Sequence, residues 1–273
     1  MEAKGNKPDF QAITSSQKET WSSGDFHEIA RQNVVMAEAL CNAVDLRGGQ
    51  RVLDVACGSG TAALVAARRY CDVVGIDYVP ALIDRARRRA DADGLDVDFR
   101  TADAQNLPFD DDSFDAILSV YGVQFAPDQD RAAAELLRVC RPGAKIGLAT
   151  PMPEGWSGDF FATHGKYNPP PPGLHPPLRW GTDEGLEALL GQDTSSIVSE
   201  PKTALQYYRS VDHAVEVFET YFGPTIRASQ NRDEQSRRQL LDELHTIFDR
   251  YNRATDGTAV VENRYLLTVA TKA

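Results

Sequence analysis

A glycine-containing loop between a strand-like run and a helix-like run is the feature that most constrains how this chain folds. Arg51-Val52-Leu53 leads into the segment 54–60 (Asp-Val-Ala-Cys-Gly-Ser-Gly), and an alanine-rich run from Thr61 to Arg69 follows. Glycine adopts positive φ at little steric cost and lets the backbone approach a ligand closely. The N–H groups that start the next helix then face that ligand. The pattern predicts a strand, a ligand-binding turn and a helix.

Two kinds of cofactor fit such a loop, and Asp54 helps to distinguish them. NAD would place an anionic pyrophosphate at the helix start, where a nearby carboxylate repels it. S-adenosylmethionine (SAM) would place a cationic ammonium and sulfonium there, which suits a carboxylate four residues before Gly58. The segment 58–63 (Gly-Ser-Gly-Thr-Ala-Ala) also matches the looser dinucleotide fingerprint, so the loop alone leaves both cofactors open.

Strand-like and helix-like runs alternate on both sides of this loop. The expected strands span 51–56, 72–77, 96–101, 114–120, 145–150, 195–208 and 260–271. The expected helices span 26–44, 61–69, 80–93, 128–141, 212–222 and 233–252. Repeated β-α units specify a mainly parallel sheet covered by helices. We therefore predict the α/β class: a three-layer, Rossmann-like, mostly parallel seven-stranded sheet with a C-terminal antiparallel hairpin and a cap of helices and loops.

The 273 residues divide into four regions of one domain. We expect residues 1–26 to form an N-terminal arm over the cofactor, mobile over about 1–20, and residues 27–150 to form the cofactor-binding α/β core. Residues 151–194 hold eight of the fifteen prolines together with several aromatic rings. We interpret them as a semi-rigid substrate segment, with a surface crossover as the equal alternative. Residues 195–273 supply the hairpin strands and a helical insertion.

Charge and cysteine content exclude several classes of protein. The net charge of −11 argues against a broad nucleic-acid surface, which needs clustered Lys and Arg. No apolar run is long enough to span a bilayer, and the N-terminus has no apolar signal core. The four cysteines form no C-x-x-C pair and no metal-ligand spacing, which favours a reducing, cytoplasmic location without a metal. We expect a small-molecule partner, no nucleic acid and no membrane span, and leave a homodimer open.

Acidic residues stand at the ends of three successive predicted strands: Asp54, Asp77 and Asp103. Open parallel sheets bind ligands at the carboxyl ends of their strands. A carboxylate at position 77 can accept hydrogen bonds from both ribose hydroxyls, as it also could for NAD. A carboxylate at 103 can accept from an adenine amino group while the Ala104 N–H meets a ring nitrogen. One such Asp is more often a turn or helix cap, but three at matching positions favour a nucleoside cofactor.

The segments around these acids resemble class I SAM-dependent methyltransferases, specifically the "type 11" group that includes ubiquinone/menaquinone C-methyltransferases. The matching segments are 52–60, 74–77, 102–109, 113–115 and 135–143, within roughly residues 27–150. The resemblance implies that Gly58 and Gly60 cradle the methionine part of SAM and that Ser119 lines the methyl site. Trp21 lies in a segment similar to one that folds over the cofactor, and it fits equally as a core anchor. The complete set of predicted cofactor-binding residues is Trp21, Asp54, Ala56, Cys57, Gly58, Gly60, Asp77, Tyr78, Leu82, Asp103, Ala104 and Ser119.

The predicted function is methyl transfer from SAM to a small, apolar or aromatic acceptor by in-line displacement, with S-adenosylhomocysteine (SAH) as product. An NAD(P)-dependent oxidoreductase and a non-catalytic SAM-binding protein are the alternatives. Tyr121 and His164 are the predicted catalytic residues, and Gln124, Tyr167 and His27 are further candidates for a base. The Asn-Pro-Pro-Tyr or Asp-Pro-Pro-Tyr signature of amino-methyltransferases does not follow the fourth strand, which disfavours N-methylation of a nucleobase or of glutamine.

Overall fold

A seven-stranded sheet organises the chain in a computed structural model that describes residues 8–230 and 232–273. Its strands are β1 (Arg51–Val55), β2 (Asp72–Asp77), β3 (Asp98–Thr101), β4 (Phe114–Val120), β5 (Cys140–Pro151), β6 (Thr194–Tyr208) and β7 (Ala259–Lys272). They lie in the order β3-β2-β1-β4-β5-β7-β6. The first five pair in parallel, and β7 runs antiparallel to both β5 and β6. The predicted sheet and its C-terminal hairpin are confirmed.

Eleven helices accompany these strands in the part of the chain that the structure describes. They are α1 (Phe10–Ser22), α2 (Phe26–Ala30), α3 (Val34–Val44), α4 (Thr61–Ala67), α5 (Pro80–Asp93), α6 (Gln129–Val139), α7 (Trp156–Tyr167), α8 (Asp183–Leu190), α9 (Val211–Tyr221), α10 (Gly223–Gln230) and α11 (Glu234–Arg250). In the described residues, no helix combines the length and apolar character needed to cross a bilayer.

Three hydrophobic clusters hold the layers together. Successive residues of a strand point to opposite faces, so Val52 packs with α3, α4 and α5, whereas Leu53 packs with α6 and α8. The third cluster is rich in aromatic rings and joins α7, α9 and α11 beside the hairpin; Trp156, Phe218 and Phe248 are at its centre. This third cluster is the helical cap that the sequence predicts.

Local structure departs from the prediction in four places. Residues 10–22 form a helix where a mobile arm was expected, although none of its residues is buried. A 3-10 turn at Arg31–Asn33 divides the helix expected over 26–44. Helices α7 and α8 lie within the proline-rich region 151–194. Helix α10 was not predicted. Residues 1–7 of the expected arm lie outside the described residues.

Candidate functional site

The loop after β1 turns tightly enough to start a helix within five residues. Gly58 and Gly60 have φ of +55° and +81°, a region that costs glycine little. The Cys57 N–H donates to the Ile76 carbonyl at 2.8 Å, which ties the loop to β2. Gly60 also lies where an added Cβ would meet the Phe99 ring at 2.7 Å. Gly58 therefore belongs to the open side of the loop, and Gly60 belongs to the packing behind it.

Asp77 joins the glycine loop to the end of β2. Its Oδ2 accepts from the Gly58 N–H and its Oδ1 from the Val79 N–H, both at 2.9 Å. A carboxylate offers about four lone-pair sites, so each oxygen keeps capacity for a further donor. Burial raises the pKa of Asp77 to about 6, against the lowering effect of these backbone donors. The group is thus a fixed hydrogen-bond acceptor at the carboxyl edge of the sheet.

Asp54 is buried beneath the glycine loop, where its carboxylate caps helix α4. Its side chain is 1% exposed, and its Oδ2 accepts from the Ala63 N–H at 2.8 Å. Gly60, at the N-terminus of α4, has no side chain to cap the helix, so Asp54 satisfies one of the helix's free N–H groups. Burial raises the pKa of Asp54 to about 7. Asp54 therefore secures the loop from beneath, and it is not among the residues that line the cavities at this edge of the sheet.

Asp103 stands after β3, where it is held by the side chain that follows it. Gln105 donates to Asp103 Oδ1 from its backbone N–H at 2.9 Å and from its Nε2 at 3.1 Å. The same Nε2 donates to the hydroxyl of Thr14 in α1 at 3.0 Å. Helix α1 is thereby fastened over the end of β3, and it covers one end of the site.

Three adjoining cavities follow the carboxyl edge of the sheet. The first, the strand-tip pocket, spans about 370 Å³ and is lined by Asp77, Tyr78, Asp103, Ala104, Gln105 and Thr14 among others. The second, the glycine-loop pocket, also spans about 370 Å³ and is lined by Trp21, Ala56, Gly58, Asp77, Leu82 and Tyr121 among others. They share Ala56, Asp77, Tyr78, Gly122 and Phe125, so together they form one groove.

The third cavity, the aromatic cavity, spans about 430 Å³ between α7, α9 and the hairpin strands. Eight of its thirteen lining residues are aromatic. Trp156 and Phe160 stack there with ring centroids 4.6 Å apart. Phe26, Tyr121 and Phe125 line both this cavity and the glycine-loop pocket. These three rings mark the junction between the groove and the aromatic cavity.

The backbone is strained on both sides of that junction. Ala56 after β1 and Tyr121 after β4 have φ of +54° and +52°, although neither is glycine. Between them, a Cβ on Gly122 would meet the Ala56 carbonyl oxygen at 2.6 Å. The order of strands reverses between β1 and β4, and open α/β sheets bind ligands at such a switch point. Strain concentrated there supports a binding role for this cleft.

Comparisons with known proteins agree with this geometry. A methyltransferase-domain family profile matches residues 52–143. An uncharacterized protein of Mycobacterium tuberculosis is 34% identical over 271 residues, which cover 96% of each chain. The demethylmenaquinone methyltransferase of Thermus thermophilus is 41% identical over 129 residues, or 45% of this chain and 59% of that protein. The YcgJ protein of Bacillus subtilis has the same fold, with a TM-score of 0.60 at 20% identity over 87% of this chain and 98% of its own.

The chain belongs to the class I SAM-dependent methyltransferases. The order of the strands, the glycine loop after β1 and the acid after β2 all fit this family. Methyl transfer is therefore the reaction of this enzyme. This conclusion disfavours the two alternative predictions, an NAD(P)-dependent oxidoreductase and a non-catalytic binding protein.

In this methyltransferase, His164 lies away from the groove. Its Nδ1 is 2.9 Å from the Phe160 carbonyl oxygen and its Nε2 is 2.8 Å from the Thr225 hydroxyl, so both ring nitrogens are engaged. Burial lowers the pKa of His164 to about 4. It is not among the residues that line the aromatic cavity. The expectation that His164 acts as a base is not supported, and the imidazole is part of the packing between α7 and α10.

Tyr121 does reach the junction, but as a neutral phenol. Its hydroxyl donates to Asn263 Oδ1 at 3.0 Å, and the Ser157 hydroxyl donates to the same oxygen at 3.0 Å. Burial raises the pKa of Tyr121 above its ordinary value. A phenol with a raised pKa holds its proton at neutral pH, so Tyr121 is suited to contact and orientation rather than to proton removal.

Other predicted residues lie just behind the cavities. Ser119 donates to the Val55 carbonyl at 2.8 Å and accepts from the Val123 N–H at 3.0 Å, which braces β1 against the turn after β4. Cys57 is buried, and burial raises the pKa of its thiol well above the ordinary value. Neither lines the groove. His27 Nδ1 is 2.9 Å from the Ser59 hydroxyl, and Tyr167 donates to Glu243 at 3.0 Å, outside the cavities.

Several lining residues were not predicted from the sequence. Thr14, Gln105, Gly122 and Phe125 all line the groove. Thr14 and Phe125 carry no motif that could have revealed them. Gly122 and Gln105 directly adjoin segments that the sequence singled out, namely the end of β4 and the acid after β3. No group of three or more metal-ligating side chains lies together within residues 8–230 and 232–273.

Proposed function

We propose that this enzyme binds SAM in the groove formed by the strand-tip and glycine-loop pockets and methylates a small, apolar or aromatic molecule in the aromatic cavity. The observation that carries the proposal is the junction at Phe26, Tyr121 and Phe125, where the two sites adjoin. A methyl donor and its acceptor need such contact, because the displacement is in line. Holding two reactants in this geometry can supply roughly 7–11 kcal/mol of the barrier reduction.

The residues of the groove fit SAM part by part. Asp77 keeps lone pairs for the ribose hydroxyls, and Asp103 with the Ala104 N–H suits the adenine ring. Gly58 exposes backbone near the methionine part, with only the Phe26 ring, at 3.7 Å, near the place of a Cβ. Bound SAM would supply a methyl group activated by its sulfonium sulfur: the acceptor's electron pair would form a bond to the methyl carbon as the C–S bond breaks, and the C–S bonding pair would stay on the sulfur of SAH. Tyr78 and Leu82 complete the apolar lining.

The chain's own contribution to the reaction is positioning and the exclusion of water. The eight rings of the aromatic cavity surround the acceptor with apolar surface. None of the thirteen residues that line it is a carboxylate or an imidazole. A proton that an O–H or N–H acceptor releases would therefore leave the cavity without a base among these thirteen side chains.

Calorimetric titration with SAH tests the cofactor site. We expect the wild type to bind SAH and Asp77→Ala to bind it about 10- to 100-fold more weakly, because hydrogen bonds to a charged group contribute about 1.5–3 kcal/mol. Asp72→Ala is the matched control. It removes an exposed carboxylate from the opposite end of the same strand and should change the affinity less than about twofold. Equal affinities of wild type and Asp77→Ala, or no SAH binding by folded wild type, would refute the proposal.

A further inference from the structure

Three buried amide side chains line the otherwise aromatic cavity. Asn33 comes from the 3-10 turn before α3, Gln206 from β6 and Asn263 from β7. All three residues are at most 5% exposed. Burying an amide without a hydrogen-bonding partner is costly, so buried amides in a ligand cavity call for an account of their donors and acceptors.

Two of these amides use their oxygen within the protein and leave their N–H groups to the cavity. Asn263 Oδ1 accepts from the Tyr121 and Ser157 hydroxyls. Gln206 Oε1 accepts from the Tyr208 hydroxyl at 3.4 Å. Among the described residues, neither amide nitrogen has an acceptor. Because the oxygens are held by hydroxyl donors, the groups left for a ligand are hydrogen-bond donors.

Asn33 and Trp156 add to the same set. Asn is a preferred N-cap residue, and Asn33 stands at the N-cap of α3, yet its side chain makes no capping hydrogen bond. Trp156 is 4% exposed, and its indole N–H has no partner within the described part of the chain. The Asn33 amide is therefore available to a ligand, and the indole N–H of Trp156 is a buried donor that an acceptor atom of a ligand beside it would satisfy.

The cavity also offers no charge to a ligand. Its thirteen lining residues are eight aromatics, one isoleucine, one serine and the three amides. An ion moved into such surroundings loses its hydration without gaining a partner of opposite sign. The lining therefore selects against carboxylate and phosphate groups. Aromatic rings alone would attract an ammonium group through cation–π interactions, but the unengaged N–H donors among them disfavour a cation.

From these observations we infer that the acceptor substrate is an uncharged, planar aromatic compound whose carbonyl-type oxygens accept hydrogen bonds from Asn33, Gln206, Asn263 and Trp156. The inference rests on the proposed function, since it describes the occupant of the acceptor cavity. The rings supply the contact area, and the four N–H groups fix the orientation of the ring system relative to the junction at Tyr121. These four residues thus determine specificity, while the groove binds the cofactor.

Ligand-observed NMR titrations of the full-length enzyme saturated with SAH test this inference. The probes are three bicyclic compounds of similar size: coumarin, which is neutral and has a carbonyl; naphthalene, which has no polar atom; and naphthoate, which is an anion. We expect coumarin to bind at least about tenfold more tightly than naphthoate. Asn33→Leu and Trp156→Phe should each weaken coumarin about three- to tenfold, as expected for one lost hydrogen bond, and should leave naphthalene within about twofold.

The control is Asn42→Leu, which makes the same change at an exposed position of α3 and should leave all affinities unaltered. Calorimetry with SAH on every variant separates the two proposals. Loss of SAH binding in the wild type refutes the proposed function. Normal SAH binding, combined with absent coumarin binding, unchanged coumarin affinity in Asn33→Leu and Trp156→Phe, or a preference for naphthoate, overturns the inference and leaves the proposed function intact.

Discussion

Two carboxyl groups, those of Asp54 and Asp77, are buried under the glycine loop, and their burial links folding to pH. Their pKa values in the folded protein are about 7 and about 6, each raised from 3.8 by loss of solvent. Between about pH 4 and pH 7, Asp54 and Asp77 therefore keep protons in the folded state that the same carboxyl groups have already released in the unfolded chain. The stability that these groups contribute is present at low pH and is lost as pH rises through the folded pKa values.

Asp54→Asn, an uncharged isostere, should flatten this dependence. We expect the free energy of unfolding of the ligand-free wild type to fall between pH 5 and pH 8, and to fall by roughly 1–3 kcal/mol less in Asp54→Asn. Denaturant melts at the two pH values measure the difference. Asp72→Asn, at an exposed site on β2, should behave as the wild type. An Asp54→Asn protein with an undiminished fall would show that Asp54 does not titrate in this range.

At this scale, the sequence predicted the residues that line the groove best where local geometry decides their place. Asp77 ends β2, and Gly58 and Asp103 lie within three residues of the ends of β1 and β3; parallel strands bring such positions to one edge. The amides of the aromatic cavity had no such signal, because Asn33, Gln206 and Asn263 meet only through tertiary packing. His164 was predicted to be a base for a related reason, namely its residue type alone. Only the fold shows that its two hydrogen bonds engage both ring nitrogens.

Among the elements, the close approach of β4 to β1 defines the cleft, and Gly122 allows it. We expect Gly122→Ala to destabilise the protein by about 1–3 kcal/mol and to weaken SAH binding, because the new methyl group would push Ala56 away. Gly165→Ala is the contrast. That glycine lies within α7 with nothing near the place of a Cβ, so alanine should stabilise by about 0.5–1 kcal/mol. Equal melting temperatures for the two variants would contradict this account.

Binding of the cofactor should stabilise helix α1 against local unfolding. It has no buried residue, yet Thr14 and Trp21 line the two pockets of the groove. Elements with few buried contacts open readily, and a ligand that adds contacts suppresses opening. We expect SAH to slow amide hydrogen exchange over residues 10–22 at least about tenfold, measured by mass spectrometry. Helix α11, which lines neither pocket, is the internal reference and should not change. Unchanged exchange over 10–22 would separate α1 from the cofactor site.

The elements themselves show where periodicity is informative. Each β-α unit from β1 to β5 is a local alternation of apolar strand and amphipathic helix, so those units could be recognised one at a time. The long runs of alternating apolar and polar residues in β6 and β7 likewise predicted the hairpin. The 3-10 turn at Arg31–Asn33 could not be predicted from the sequence, because the apolar spacing of residues 26–44 continues across it. Short capping helices such as α10 depend on contacts with α7 and α9 rather than on their own sequence.

For the molecule as a whole, cofactor binding should appear as thermal stabilisation. A ligand at 100 times its dissociation constant adds about 2.7 kcal/mol to the free energy of unfolding. For a chain of this size, that corresponds to a rise in melting temperature of roughly 5–10 °C. We expect SAH to produce this rise in a scanning calorimeter, and NAD at the same concentration to shift the melting temperature by less than about 1 °C. An equal rise with NAD would point to a less selective groove.

The position of β7 has a consequence for how the enzyme is made. Strand β6 is hydrogen-bonded in the sheet to β7 alone, and β7 lies between it and β5. While a ribosome is still synthesising residues 259–272, β6 has no neighbour to join and the Asn263 amide does not yet exist. Under the proposed function, the residues of the groove are thus all synthesised before the strand that completes the acceptor cavity. Removal of β7 would leave β6 without a hydrogen-bonded neighbour and would open all three hydrophobic clusters, so it should disrupt the fold as well as the acceptor cavity.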